Sequence, residues 1–362
     1  MSEMNGNGNG NGNNRLRGVG GALGGIGLPT LIIGGFWVFT VIAGHFVGIS
    51  MATLVSDTIK RAGMNGILVL AMVPAIQSGT GPNFALPIGI VCGLLGLVTA
   101  IELNLMGMAW FLTSCAIAIP LAAIVGYGYG KLMNAVKGSE MTIATYTGFS
   151  IVALMCLAWL MIPFKNPKMG WFIGTGLRET IQLDAVEGAQ ILNNFMMFTI
   201  GEVIIPTGLL LTFGFFAFLV WLFFRSKRGI AISAGGINPK FARATGLDID
   251  GNRVFANVIS TVLGAIGIIV YSQSYGYAQL YTAPLMMAFP AVAAVLIGGA
   301  TASRAKVSHV IIGVVLFQGL LTTALPVANE VFAGTDLSEI MRMIIQNGII
   351  LYALTQVKRG VQ

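Results

Sequence analysis

Seven stretches of this chain contain no Asp, Glu, Lys or Arg: 18–56, 62–101, 103–130, 141–164, 203–224, 254–303 and 307–329. Each holds at least one helix of about 20 residues, the length that crosses a hydrocarbon core. A globule of this size could not hide such runs, because the polar surface needed to cover them is missing. Charged residues make up 9% of the 362 residues and hydrophobic ones 56%, against roughly 25% charged in an ordinary soluble domain. A soluble enzyme is excluded. The chain reads as an all-α, polytopic integral membrane protein in one domain.

Ten spans are expected. The first runs from about Pro29 to Ile49 and is expected to stay in the protein, since no compact charged start precedes it. A short polar segment with Asp57, Lys60 and Arg61 follows, and the stretch 62–101 is too long for one helix. It is interrupted at 77–83 by QSGTGPN, so two helices broken in the middle are expected there. Spans then follow at about 106–129, 141–163, 204–224, 254–274, 284–300, 307–326 and 337–357. Residues 1–27, opening with the Asn-Gly tract MSEMNGNGNGNGNN, have almost nothing to bury and are expected to be disordered. Between spans lie two long polar segments, 164–203 and 225–253, with a short C-terminal tail at 358–362. The mixed charges and Trp171–Phe172 of the first suggest an amphipathic helix on the membrane surface.

Lys and Arg accumulate in cytoplasmic loops, which orients the chain. With both termini inside, 14 basic and 4 acidic residues are inside, against 6 basic and 9 acidic outside. These charges of +10 and −3 account for the net +7. The positive balance is therefore a topological signal, and no nucleic-acid partner is expected. Segment 225–253 faces the cytoplasm and segment 164–203 the exterior.

The residues offer little chemistry. His45 and His309 are far apart, Cys92, Cys115 and Cys156 lie in apolar runs, and no HExxH, GxSxG or CxxC pattern occurs. No catalytic residue, metal or cofactor is expected. Gly130-Lys131 is followed by Leu132, not by the hydroxyl residue of a phosphate-binding loop, so any ATP hydrolysis belongs to another subunit. Glu102, Glu202 and Arg342 fall near outer span ends, and no acidic residue falls near the membrane centre. That argues against a stand-alone secondary transporter or channel, the rival of another class. Uncharged polar groups do occur at depth. Gln77, Ser78 and Asn83 at the first break, and Gln273 and Gln279 near a second, suit a path for a neutral hydroxylated solute, although such amides also join helices. AIQSGTGPNF and YSQSYGYAQL each place Gln-Ser before glycine at a break, a hint of a two-fold internal repeat.

The most specific signal lies in the inner loop, where Arg228 to Leu247 reads RGIAISAGGINPKFARATGL. It resembles the cytoplasmic coupling loop of the ribose/galactose-type ABC transporter permeases, relatives of the branched-chain amino acid and autoinducer-2 permeases. The match rests on Gly235-Gly236, Asn238-Pro239, Ala242-Arg243 and Gly246-Leu247, and the segment Ala293 to Thr301 looks like a second family motif. Two departures stand out: SGTGPNFALP where the family's first break reads like TGGIDLSVG, and SRAKVSH after Gly298-Gly299. The resemblance implies an importer permease of a bacterial cytoplasmic membrane. It also implies a partner ATPase, an extracytoplasmic substrate-binding protein and a second copy or homologous permease. Its implied solute is small and hydrophilic, most readily a monosaccharide, with nucleosides, autoinducer-2-like furanosides and branched-chain amino acids as alternatives. Independently of any family, Asn238 and Pro239 are suited to cap and begin a short helix over 239–245.

Overall fold

A computed structural model describes residues 27–170, 176–183, 189–331 and 337–359. The disorder expected over 1–27 thus falls, apart from Gly27, outside the described residues, as do Trp171 and Phe172.

The helices are α1 (Leu28–Phe46), α2 (Met51–Leu70), α3 (Met72–Gln77), α4 (Leu86–Glu102), α5 (Gly107–Ala135) and α6 (Glu140–Met161) in the first half. A connecting segment holds β1 (Thr180–Gln182), α7 (Ile191–Asn194), β2 (Phe198–Ile200) and β3 (Val203–Ile205). The second half has α8 (Thr207–Arg225), α9 (Lys227–Ile237), α10 (Pro239–Ala244), α11 (Ile249–Tyr275), β4 (Tyr277–Gln279), α12 (Thr282–Met286), α13 (Ala288–Ile297), α14 (Val307–Val331) and α15 (Leu337–Arg359). Among the described residues seven helical segments are long and apolar enough to cross a membrane, and three shorter apolar ones lie at Leu86–Glu102, Thr282–Ile297 and Met343–Thr355. Together they match the ten expected spans.

Two expectations are corrected. Asp57, Lys60 and Arg61 do not form a polar loop: α2 begins at Met51, with Ser50 capping the Thr53 N–H. Leu54, Thr58 and Ala62 are buried at a four-residue spacing while Asp57 and Arg61 face outward, so the charges ride on the exposed side of an amphipathic turn. Among its described residues, segment 164–203 is no amphipathic helix either. β1 pairs antiparallel with the distant β4, and β2 with β3 in a hairpin. Such pairing depends on partners remote in sequence, which local charge patterning does not register.

The two halves are built alike. The second span of each is 27 residues long and mostly buried, Met51–Gln77 and Ile249–Tyr275. The fourth span of the first half, α5, lies along α11, and its counterpart α14 lies along α2. Likewise α4 meets α5, α6 and α11, while α13 meets α14, α15 and α2. Only the leading helices differ, since α1 packs on α14 but α8 on α2. Close approach depends on missing side chains. A Cβ on Gly89 or Gly93 of α4 would strike the Thr261 and Ala265 carbonyls of α11, and one on Gly96 the Ser114 carbonyl of α5.

The bundle has two polar ends. At one, the turns 78–85, 136–139, 226–248 and 298–306 come together. Lys137 pairs with Asp250 at 2.5 Å and the buried Arg253 pairs with Glu140 at 2.5 Å. At the other, Glu102 accepts hydrogen bonds from the Lys165 and Asn166 N–H groups, and Ser56 accepts one from Ile204.

Candidate functional site

The segment 226–251 is set by caps. The Ser226 hydroxyl accepts from the Gly229 N–H at 3.2 Å and starts α9. Asn238 accepts from the Phe241 N–H at 3.0 Å, and Pro239 takes the first helical position of α10, where its missing N–H costs nothing. This is the arrangement its sequence suggested. α10 ends on Gly246, whose φ of +79° disfavours any side chain. The Gly246 N–H reaches the Arg243 carbonyl and the Leu247 N–H reaches that of Ala242, both at 3.1 Å, which satisfies the last turn of the helix. Asp248 then caps α11 through the Gly251 N–H at 2.9 Å.

Ala242 is fully buried, and it fixes which side of α10 faces outward. Pro239, Lys240, Arg243 and Ala244 line a shallow concavity on the exposed side, and Phe241 beside them is 63% exposed. α10 thus presents a basic rim and a bare aromatic ring at this end of the bundle.

Behind it, α9 meets the first helix break. Pro74 has no N–H to return to Leu70, and the helix is interrupted at Ala71. The Ser260 hydroxyl of α11 donates to the Ala71 carbonyl at 2.6 Å. Gly236 sits against this region so tightly that a Cβ there would collide with the Gln77 carbonyl, and one on Gly79, φ +78°, would stand 3.0 Å from the Gly236 Cα. Backbone touches backbone at this point.

The break itself is a small polar structure. Gln77 Nε2 donates to the Ala305 carbonyl at 2.5 Å. Ser78 donates to the Ala75 carbonyl at 2.8 Å and contacts Thr80 at 3.1 Å. Asn83 is buried: its Nδ2 donates to Ser260 at 2.8 Å, and its Oδ1 accepts from the Ala85 N–H at 3.0 Å and the Tyr129 hydroxyl at 3.1 Å. The first break therefore joins α5, α9, α11 and the turn before α14.

Gln273 and Gln279 stand at the opposite end. Gln273, fully buried, accepts from the Leu192 N–H at 3.2 Å and donates to the Val270 carbonyl at 3.1 Å. Its neighbour Ser274 donates to Asn193 Oδ1 at 2.9 Å. Gln279 lies in β4 opposite Thr180, and Leu280 N–H extends the pairing to the Glu179 carbonyl at 2.9 Å. Tyr281 closes the turn by donating to the Leu177 carbonyl at 3.4 Å; burial raises its phenol above the usual tyrosine range. The structure thus brings Gln77, Ser78 and Asn83 together with Gly235 and Gly236, and holds Gln273 and Gln279 apart from them.

Three participants escaped the sequence reading: Ser260, Tyr129 and the Arg253–Glu140 pair. A four-residue spacing of buried polar positions on α11, at Arg253, Asn257 and Thr261, was the signal available for that polar stripe. Among the described residues no cluster of His, Cys, Asp or Glu is placed to hold a metal ion, and Cys92, Cys115 and Cys156 are free thiols.

Comparison with known proteins agrees with this architecture. A family model described as branched-chain amino acid transport system / permease component matches residues 43–354. The chain is 23% identical over 308 residues to the galactofuranose transporter permease protein YtfT of Escherichia coli (strain K12), covering 82% of this chain and 77% of that one. It is also 23% identical over 193 residues, half of each chain, to the nucleoside ABC transporter permease protein NupB of Lactococcus lactis subsp. cremoris (strain MG1363). No solved structure matches it.

Proposed function

Because the chain belongs to the branched-chain amino acid transport system / permease component family, we propose that it is the membrane subunit of an ATP-binding-cassette importer for a small sugar-type solute. The observation that carries the reading is a family match spanning nearly all ten apolar helices, in a chain whose most basic end presents the capped helix α10. That end faces the cytoplasm, with both termini, as the excess of Lys and Arg there indicates. α10 docks into a partner ATPase through Phe241, Lys240 and Arg243. The opposite end receives the solute from an extracytoplasmic binding protein, and a second permease copy or a homologue completes the transporter in a bacterial cytoplasmic membrane.

Both relatives are named for compounds that carry a furanose ring, one as a free sugar and one within a nucleoside. A furanose-containing solute is therefore favoured over a branched-chain amino acid. Neutral amides and hydroxyls suit its ring hydroxyls, and the two breaks form the ends of its path: Gln273 and Gln279 at the outer gate, Gln77, Ser78 and Asn83 at the inner one.

Proteoliposomes containing this chain with its partner ATPase and binding protein test the reading. Uptake of labelled galactose, ribose or uridine that requires ATP and the ATPase subunit is expected. Uptake that continues without either would sink the proposal.

A further inference from the structure

We infer that the inner break is the receiver of the ATPase's motion, and that Gly236 and Gln77 are the two positions through which it passes. The inference rests on the importer reading above and adds a route to it. α9 leads directly into the docking helix α10 through Asn238, and its C-terminal turn, at Gly236, rests on the backbone of 77–79. Contact without intervening side chains has no rotamer to absorb a displacement, so a shift of α9 either moves 77–79 or opens a gap. From the break, motion leaves in two directions. Gln77 Nε2 is bonded to the Ala305 carbonyl in the turn between α13 and α14, in the second half of the fold. Asn83, at the far side of the break, is bonded to Ser260 of α11 and Tyr129 of α5. A single displaced turn thereby pulls on both halves. Gly236 sets the direct contact and Gln77 distributes it; neither needs to touch the solute for this role.

The test uses the complex of the full chain with its partner ATPase subunit, in lipid nanodiscs. Cys92, Cys115 and Cys156 are replaced by Ser, and Ser78→Cys supplies one reporter thiol in a position that is buried at rest. The rate of its alkylation by N-ethylmaleimide is compared with and without ATP plus vanadate. With Gly236 and Gln77 intact, the nucleotide is expected to change the rate about fivefold or more, the lower end of ordinary coupling between sites. With Gly236→Ala or Gln77→Leu the change falls below about twofold, the site being uncoupled. Gly348→Ala, whose new methyl meets open space, keeps the full response. Gln77→Leu introduces no clash in place of its lost hydrogen bond and decides the matter if Gly236→Ala does not fold. An undiminished response in Gln77→Leu overturns the inference, as does an unresponsive reporter in an otherwise unaltered complex that hydrolyses ATP; both leave the importer reading intact. An ATPase subunit that fails to bind the chain overturns the importer reading, and the inference with it.

Discussion

The two breaks are built on matching spans yet are held in different ways. The inner one, 77–85, is tied by side chains: Gln77 to Ala305, Asn83 to Ser260 and Tyr129, with Gly236 pressed on it from outside. The outer one, 273–282, adds to its side-chain bonds a backbone hold that the inner one lacks, through the β1–β4 ladder and the Gln190 N–H to the Gln273 carbonyl at 2.6 Å. A ladder shares its hold over many equivalent bonds, whereas a few side-chain bonds concentrate it at single residues. The inner break is consequently the one that single substitutions disable.

Substitutions at the two sites sharpen that contrast. Asn83→Leu has the largest expected effect: it strips the buried Ala85 N–H and Tyr129 hydroxyl of their acceptor and Ser260 of a donor, and at about 1–3 kcal/mol per unsatisfied group the loss is at least about 3 kcal/mol in all. Thermal unfolding in detergent reports it, and an unchanged midpoint would dissolve the contrast. Gln273→Leu leaves the Leu192 N–H without its acceptor and the Val270 carbonyl without its side-chain donor while the ladder persists, so about 1–2 kcal/mol is expected in the same assay.

How far the sequence foretold these sites depends on the range of the interactions. Asn238-Pro239 announced α10 because a cap and the first helical residue are decided within a few positions. The QSGTGPN break and the ten spans were equally legible, being local changes of hydropathy. The seat of Gly236 on Gln77, the Asn83–Ser260 bond and the β1–β4 ladder were not, since each joins residues more than ninety positions apart. Gln77, Ser78, Asn83, Gln273 and Gln279 were grouped by residue type as one path, and the fold distributes them between two ends.

Smaller effects are expected farther from the breaks. Gly246→Ala forces a methyl onto a left-handed residue at a cost of about 1–2 kcal/mol confined to the end of α10. Faster proteolytic cleavage within 239–248, with the thermal midpoint nearly constant, is the expected sign. Lys137→Ala removes an exposed ion pair with Asp250, 40% and 52% accessible, and is expected to cost about 0.5 kcal/mol or less, vanishing at high salt. Comparing unfolding midpoints at low and high salt checks it.

The glycines of α4 have one further consequence. Gly89 and Gly93 leave no depth between α4 and α11, and Gly126 and Gly130 leave none between α5 and α11. Helices whose carbonyls and α-carbons are in direct contact cannot slide past one another without first separating. These three therefore form a single rigid plate, whose ends include the polar turns 78–85, 136–139 and 276–281.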